Sequence, residues 1–181
     1  REVDELRKEI RRLAKEVKDI IKKATERNEE LVRRVKEIIK EVNRRNRKAA
    51  EEVKELIRAG VPKEDIRRIV ERVVREVRRT NDDVRRTVEE VVKDAERTDE
   101  ELKRIVDDVV RRVRELLKEL PRGEDLERIR KEVEELAREL EKLLEESNRE
   151  TKRLARELEK LLEDSRRSTE ELAKELEEAE R

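Results

Sequence analysis

Glycine and proline, the residues that most readily end a helix, occupy only four of the 181 positions. They form two clusters, Gly60 with Pro62 and Pro121 with Gly123, about one third and two thirds of the way along the chain. In the three segments between these clusters, apolar residues recur every three or four positions, which is the period of an amphipathic α-helix. Each predicted helix is on the order of 85 Å long. The predicted helices span about 1–59, 62–120 and 124–181.

The two clusters have the chemistry of helix-to-helix turns. Gly60 suits the left-handed position that closes a helix, and Pro62 suits the first turn of the next. Pro121 disfavours helical geometry at Leu120, and Gly123 supplies a permissive backbone. Connections this short force neighbouring helices to run antiparallel, so we expect an all-α, antiparallel up-down-up three-helix bundle that forms a single domain over 1–181. Acidic residues follow both turns, where a helix N-terminus favours negative charge: Glu64, Asp65, Glu124 and Asp125.

Two sites inside the second helix resemble helix N-caps, one starting at Thr80 and one at Thr98. An alternative interpretation therefore divides this helix into shorter pieces. We expect one continuous helix instead, because neither site contains Gly or Pro and the apolar pattern passes through both without a change of phase.

The helices carry an 18-residue repeat. Eighteen residues make five full turns of 3.6 residues, so the apolar stripe returns to the same direction around the helix axis after each repeat. A heptad repeat would impose a left-handed supercoil and an 11-residue repeat a right-handed one. We therefore predict nearly straight, untwisted helices. The apolar arc is about 120° wide in the first and third helices, which suits a helix with two partners. In the second helix Val74, Val92 and Val110 lie beyond the edge of the main face. The blocks of the second helix are 63–80, 81–98 and 99–116.

One core position of the repeat is apolar in a single copy and polar in the other two, in all three helices. Folding about the two turns brings the polar copies to two common levels. We predict two buried polar layers, whose members are mutually hydrogen-bonded because an unpaired buried polar group costs roughly 1–3 kcal/mol. The copies are Ile10, Asn28 and Asn46; Leu116, Thr98 and Thr80; and Ile129, Ser147 and Ser165. One layer is Asn28, Thr98 and Ser147, with Thr25 and Thr151 at its edges; the other is Asn46, Thr80 and Ser165, with Asn43 and Thr169 at its edges.

A polar layer can specify helix register or bind a polar ligand. We interpret these layers as determinants of register and of oligomeric state. Asn, Ser and Thr offer no strong base and no metal preference, and a straight three-helix core leaves little room for a cavity. The sequence therefore predicts structural layers, with no catalytic, cofactor-binding or metal-binding residue.

Over its whole length the chain resembles de novo designed helical bundles built on parametric backbones with hydrogen-bond-network layers. The resemblance rests on three near-equal helices, the 18-residue blocks, the aligned Asn, Thr and Ser layers, and the absence of aromatic residues. It implies a very stable scaffold or association module without natural activity. Such bundles occur as monomers, homo-oligomers and heterodimers.

Composition removes several classes of function. The chain has no His, Cys or aromatic residue, so it lacks the usual neutral-pH base, the thiol nucleophile, soft metal ligands and base-stacking platforms. Paired acids such as Asp82-Asp83, Glu89-Glu90 and Asp107-Asp108 are typical of two-carboxylate sites, but adjacent helical residues point about 100° apart and these lie on the solvated face. We expect no enzyme and no cofactor.

Charge gives two further expectations. The first helix carries 20 basic and 14 acidic residues, and residues 121–181 carry 15 and 21, so the end helices are complementary. The basic run at Arg44, Arg45, Arg47 and Lys48 is either a nucleic-acid face or a solvated face, and the interspersed acids favour the latter. We therefore expect no nucleic acid, membrane or small-molecule partner.

Two function hypotheses follow. The first is an inert monomeric scaffold. The second is an association module, in which an exposed strip formed by Val74, Val92 and Val110 recruits another copy or a partner helix. A natural spectrin-like or lipid-surface protein is a weaker third, because such proteins carry aromatics and irregular repeats. The chain begins at Arg1 without Met, and we expect no natural location but soluble cytoplasmic expression of a trimmed recombinant product.

Overall fold

The computed structural model describes residues 2–120 and 123–181, excluding the side chains of residues 2, 124 and 125. The chain folds into three helices as an all-α three-helix bundle, which confirms the predicted fold class. Pro121 and Arg122, part of the predicted second turn, lie outside the described residues. The helices are α1 (Glu2–Arg58), α2 (Lys63–Lys118) and α3 (Glu124–Glu180).

The first turn closes α1 with a Schellman motif. Gly60 is in the left-handed region, with φ of 81°. The Val61 amide donates to the Leu56 carbonyl at 3.3 Å and the Gly60 amide to the Ile57 carbonyl at 3.2 Å, which is the hydrogen-bond pattern of this motif. The Pro62 carbonyl then accepts from the Ile66 amide at 3.0 Å, which begins α2. Glu64 and Asp65 lie in the first turn of α2, as predicted.

Replacing Gly60 with Ala should lower the free energy of unfolding by about 1 kcal/mol, because an L-residue in the left-handed region is strained. A Cβ at Gly60 would meet nothing within 4 Å, so the loss reports backbone strain alone. Gly123 is the matched control, since its Cβ would also meet nothing and its φ is not positive. Denaturant unfolding of G60A and G123A measures both effects. A G60A variant as stable as the original chain would contradict the assignment of strain to Gly60.

The second turn differs from the first in the part that glycine plays. We predicted a permissive glycine at Gly123, but this residue does not use the left-handed region. Its carbonyl instead accepts from the Glu127 amide at 3.4 Å, as the residue before a helix does. Leu120 lies outside α2, as its position before proline predicts.

Helix α2 runs without interruption from Lys63 to Lys118, so the alternative of shorter helices is wrong. Thr80 Oγ1 donates to the Glu76 carbonyl at 2.8 Å, and Thr98 Oγ1 donates to the Asp94 carbonyl at 2.9 Å. These are bonds to the preceding turn of the same helix, which threonine makes inside a helix and not at an N-cap.

The contacts of the chain divide it into two compact units. Unit 1 comprises the described part of Arg1–Glu29 and Lys93–Arg153, and unit 2 comprises Glu30–Val92 and Leu154–Arg181. Each unit thus contains one segment of each helix. The two units are described separately below.

Each unit has two apolar core clusters, to which all three helices contribute. In unit 1 one cluster contains Val17, Val106 and Leu140, and another contains Ile10, Leu117 and Ile129. The clusters of unit 2 include Ile39, Val88 and Leu158 in one and Val53, Val70 and Leu176 in the other. Burial of these periodic side chains overrides the modest helix propensity of the many valines in α2.

The structure corrects the prediction of an exposed valine strip on α2. Val74 and Val110 are buried, at 6% and 8% exposed, and Val92 is half-buried. Each packs into a core cluster of its own unit. The reason is that the buried face of α2 is wider than its main arc and includes these valines.

A repeated ion pair joins α1 to α3. In unit 1 Lys18 Nζ lies 2.7 Å from Glu139 Oε2. In unit 2 Lys36 Nζ lies 2.6 Å from Glu157 Oε2, and Lys54 Nζ lies 3.3 Å from Glu175 Oε2. All three pairs are 121 residues apart in sequence. The same register between α1 and α3 therefore holds within each unit.

Candidate functional site

The first polar cluster lies in unit 1 and consists of Thr25, Asn28, Asp99, Ser147 and Thr151. Thr25 Oγ1 donates to the Ile21 carbonyl at 2.8 Å and lies 2.9 Å from Ser147 Oγ. A hydroxyl has one proton, so Ser147 is the donor in the bond that joins α3 to α1. Thr151 Oγ1 donates to Asp99 Oδ1 at 3.1 Å, which joins α3 to α2.

The second polar cluster lies in unit 2 and consists of Asn43, Asn46, Asn81, Ser165 and Thr169. Ser165 is only 1% exposed, and its hydroxyl lies 2.8 Å from Asn43 Oδ1 and 3.3 Å from Asn81 Oδ1. Its single proton is shared between amide oxygens on α1 and α2. One α3 side chain therefore ties all three helices of this unit together.

The two clusters are copies of each other, offset by the 18-residue repeat. Asn28 corresponds to Asn46, Ser147 to Ser165 and Thr151 to Thr169, without change. The remaining positions differ: Thr25 corresponds to Asn43, and Asp99 to Asn81. The second difference replaces a neutral amide with a carboxyl group at the same place in the fold.

Burial raises the pKa of Asp99, since the charged carboxylate is partly removed from water. The hydrogen bond from Thr151 opposes this effect by stabilising the charged form. Glu96 raises the pKa further and Lys152 lowers it, and both contributions are smaller than desolvation. In the first polar cluster, burial thus makes the charged form of Asp99 less stable than it would be in water.

The structure brings together many of the predicted layer residues. Ser147 bonds with Thr25, and Ser165 with Asn43, across α3 and α1. Thr151 and Thr169, predicted at the edges, are buried. Each cluster thus contains both bonded and buried members of one predicted layer.

Thr98 and Thr80 correct the prediction for α2. Both are half-buried, and both donate to their own helix. Their neighbours Asp99 and Asn81 make the bonds to α3 instead. A signal for this was present, because at 100° per residue Asn81 falls about 20° from the direction of Val70 and about 20° from that of Val74, both of which are buried.

The prediction that all layer residues are mutually bonded also needs correction. Asn28 is 4% exposed, yet its Nδ2 has no hydrogen-bond partner in the described part of the chain. The Oδ1 of Asn148, on the α3 residue after Ser147, is likewise buried and unpaired there. Asn28 fills its core position without completing the network of unit 1.

The chemistry of these clusters favours structure over reactivity. Ser165 donates to amide oxygens, which do not remove its proton, so nothing near it activates the hydroxyl as a nucleophile. Among the described residues no group of three or more acidic side chains is placed to hold a metal ion. Thr87, which lies between the predicted layers in sequence, is exposed and donates to the Asp83 carbonyl at 3.1 Å.

A groove in unit 2 is lined by residues of α2 and α3 and by no residue of the second polar cluster. It encloses about 700 Å³ over Val70 and Val74. Both acidic and basic side chains surround it, so the groove favours neither anions nor cations. The charged residues around it are Arg75, Arg78, Arg79, Arg86, Glu71, Asp82, Asp83, Glu177 and Glu180.

An acidic residue next to the basic run of α1 forms ion pairs with two of its arginines. Glu41 pairs with both Arg44 and Arg45. The Arg44 guanidinium donates a hydrogen bond that lowers the pKa of the Glu41 carboxyl, and Arg45 adds to the effect. Part of the positive charge on this face is thereby neutralised within the helix.

Comparison with known proteins found a distant structural likeness. The sequence matches no protein-family model and no curated protein. A solved structure described as a "Computationally designed three helix bundle" is 17% identical, with a TM-score of 0.49, over 99% of this chain and 92% of that chain. In the described part of the chain, no helix is long and apolar enough to cross a membrane.

Proposed function

We propose that the chain is a designed structural scaffold that catalyses no reaction, and that its two polar clusters specify how its helices pair. The observation that carries this is the bond from Ser147 to Thr25 in unit 1 and its counterpart from Ser165 to Asn43 in unit 2. Both join α3 to α1 at a sequence separation of 122. The regular 18-residue repeat and the lack of aromatic residues support a designed origin.

The ion pairs alone leave the register ambiguous. Because they recur every 18 residues, moving α3 by one repeat would bring Lys36 level with Glu175 and preserve the same kind of pair. The polar clusters remove this ambiguity, since the third copy is apolar at four of their five positions and is Arg7, which has no acceptor, at the fifth. A displaced α3 would set Ser147 against that apolar level, where its hydroxyl finds no partner and costs roughly 1–3 kcal/mol.

The two short turns already limit such shifts within one chain. The polar clusters therefore matter most when helices of different chains meet, since no turn then sets the register. During refolding at high concentration, they should favour closure of each chain on itself. We propose that the chain is a monomer of 21.9 kDa at low micromolar concentration.

Replacing six of the ten cluster residues with the apolar residues of the third copy should raise thermal stability and yet reduce specificity. After refolding, this variant should form oligomers and mixed registers, whereas the original chain gives monomer in one register. Light scattering measures the mass. Thiol cross-linking of Lys36→Cys with Glu157→Cys detects the observed register, and Lys36→Cys with Glu175→Cys detects the shifted one. The six substitutions are Asn28→Ile, Asn46→Ile, Ser147→Ile, Ser165→Ile, Asn81→Leu and Asp99→Leu.

The cysteine pairs introduced into the original chain are the control. There the first pair should cross-link and the second should not. If the apolar variant remains a monomer that cross-links only through the first pair, the clusters do not specify pairing and the proposal fails.

A further inference from the structure

The most exposed large apolar side chains lie on one helix at equal intervals along the sequence. Among the described residues they are Ile20, Ile38 and Leu56, at 42%, 46% and 37% exposed, and all lie on α1. The interval of 18 residues gives them the same direction around the helix axis. Ile38 and Leu56 belong to unit 2. A repeated apolar exposure of this kind differs from the single exposed residues that any surface carries.

Ion pairs identify the side of α1 on which these residues lie. Lys36 and Lys54 mark the edge of α1 that meets α3, through their pairs with Glu157 and Glu175. Ile38 and Leu56 follow these lysines by two residues, about 200° around the helix. They therefore lie at the opposite edge of α1, toward α2.

The corresponding edge of α2 is found in the same way. Arg78 pairs with Glu170 at 3.3 Å and marks the edge of α2 that meets α3. Ile69 precedes Arg78 by nine residues, about 180° around the helix, so it lies toward α1 and is half-buried there. We define the α1–α2 face of unit 2 by Ile38, Leu56 and Ile69. Among the described residues of unit 2, ion pairs join α3 to each of the other helices but none joins α1 to α2.

The α1 rim of this face is positive. Arg34 and Arg45 lie within about 40° of the direction of Ile38, and so does one acid, Glu52. Arg34 shares Glu30 with Arg33, and Arg45 shares Glu41 with Arg44, so each group of one acid and two arginines keeps a net positive charge.

The α2 rim is negative. Glu76, Asp83 and Glu90 follow Ile69 at seven-residue intervals and lie within about 60° of its direction. One base, Arg72, lies at the same angular distance as Glu90, so the acids are in excess. All three acids are exposed, and none is in an ion pair within the described part of the chain. The two rims of the face thus carry opposite charge.

We propose that the α1–α2 face docks a second copy of this chain about a twofold axis parallel to the helices. This symmetry sets α1 of one copy against α2 of the other, so the positive rim meets the negative rim twice. The rims also match in level, because Ser165 bonds to both Asn43 and Asn81, which places Arg45 near the level of Glu76. An arrangement of α1 against α1 would oppose like charges.

The association is weak, so it adds to the proposed scaffold without replacing it. The face has only three partly exposed apolar side chains, whereas a stable dimer buries roughly 800 Å² per partner, so we expect weak association, with a dissociation constant on the order of 100 µM. The chain is then monomeric at low micromolar concentration and dimeric when concentrated.

Sedimentation from about 5 µM to about 500 µM tests the docking. Ile38→Gln combined with Leu56→Gln should weaken the dimer at least about tenfold. Lys40→Gln is the matched control on the same exposed helix, two residues from Ile38 and about 200° around it, and should leave the dimer unchanged. A mass of 21.9 kDa throughout the range, or equal effects of the two changes, overturns the proposal.

Charge exchange tests the orientation. Arg45→Glu and Glu76→Arg should each weaken self-association, whereas an equal mixture of the two variants should associate about as well as the original chain. The mixture restores one opposite-charge contact and keeps the other. No recovery in the mixture overturns the twofold arrangement. Because the polar clusters are untouched, the Lys36→Cys and Glu157→Cys cross-link remains an independent check of the proposed scaffold.

Discussion

Asn28→Leu should raise the free energy of unfolding by about 1–3 kcal/mol, the penalty associated with a buried polar group that lacks a partner. Asn28 is 4% exposed, and its Nδ2 is unpaired among the described residues. Leucine has the same branched shape and number of side-chain heavy atoms, so the substitution removes the unpaired donor without leaving a cavity. Denaturant unfolding with linear extrapolation measures the change.

Asn46→Leu provides the matched control for this gain. Asn46 occupies the equivalent position in unit 2 and is also buried, but none of its side-chain atoms is both fully buried and unpaired. The gain should therefore be smaller at Asn46. A loss of stability in Asn28→Leu would show that this amide contributes more to the fold than its hydrogen bonds suggest.

Exchanging Asp99 and Asn81 should move stability in opposite directions at neutral pH. Asn81→Asp places a charge beside Ser165 in a more buried site and should cost about 2 kcal/mol. Asp99→Asn removes a half-buried charge and should raise the unfolding midpoint. The double exchange should lie between the two single variants, since the sites are far apart in sequence and belong to different units.

The pH dependence of Asp99→Asn identifies the cause. The pKa of Asp99 is raised in the folded chain, so its favourable contribution is present at low pH and is lost as pH rises through the folded pKa. The advantage of Asp99→Asn should therefore be largest at neutral pH and should shrink toward about pH 3.9, the ordinary pKa of an aspartate. An advantage that is independent of pH would exclude desolvation of the carboxylate as its source.

The sequence predicted the features that depend on local chemistry and period. Gly60 needed a left-handed conformation to end α1, and the uninterrupted apolar period required α2 to continue past Thr80 and Thr98. The turn positions also set the levels at which Ser147 and Ser165 were expected to meet α1, and both residues bond to α1 side chains. These inferences need only helix geometry and the length of each segment.

The choice between neighbouring polar residues could not be predicted in the same way. Thr98 and Asp99 both lie near the core edge of α2, and a threonine hydroxyl can bond either to a neighbouring helix or to its own preceding turn. Nothing in the sequence decides which acceptor it takes. The pattern around Thr98 resembles a helix N-cap and drew attention away from Asp99. Around the helix axis, however, Asp99 points between two buried valines, Val106 and Val110.

The paired lysines and glutamates keep a constant separation of 121 residues, because the pairs recur every 18 residues on both helices. The helices could therefore be lengthened by adding further copies of the repeat. Inserting one whole block of 18 residues at the same level in every helix would lengthen each by about 27 Å and return every later side chain to its original direction. Inserting 17 or 19 residues would turn all later side chains by about 100° and expose the core. The chain can be extended in whole blocks, and the pattern of polar and apolar copies determines which block is added.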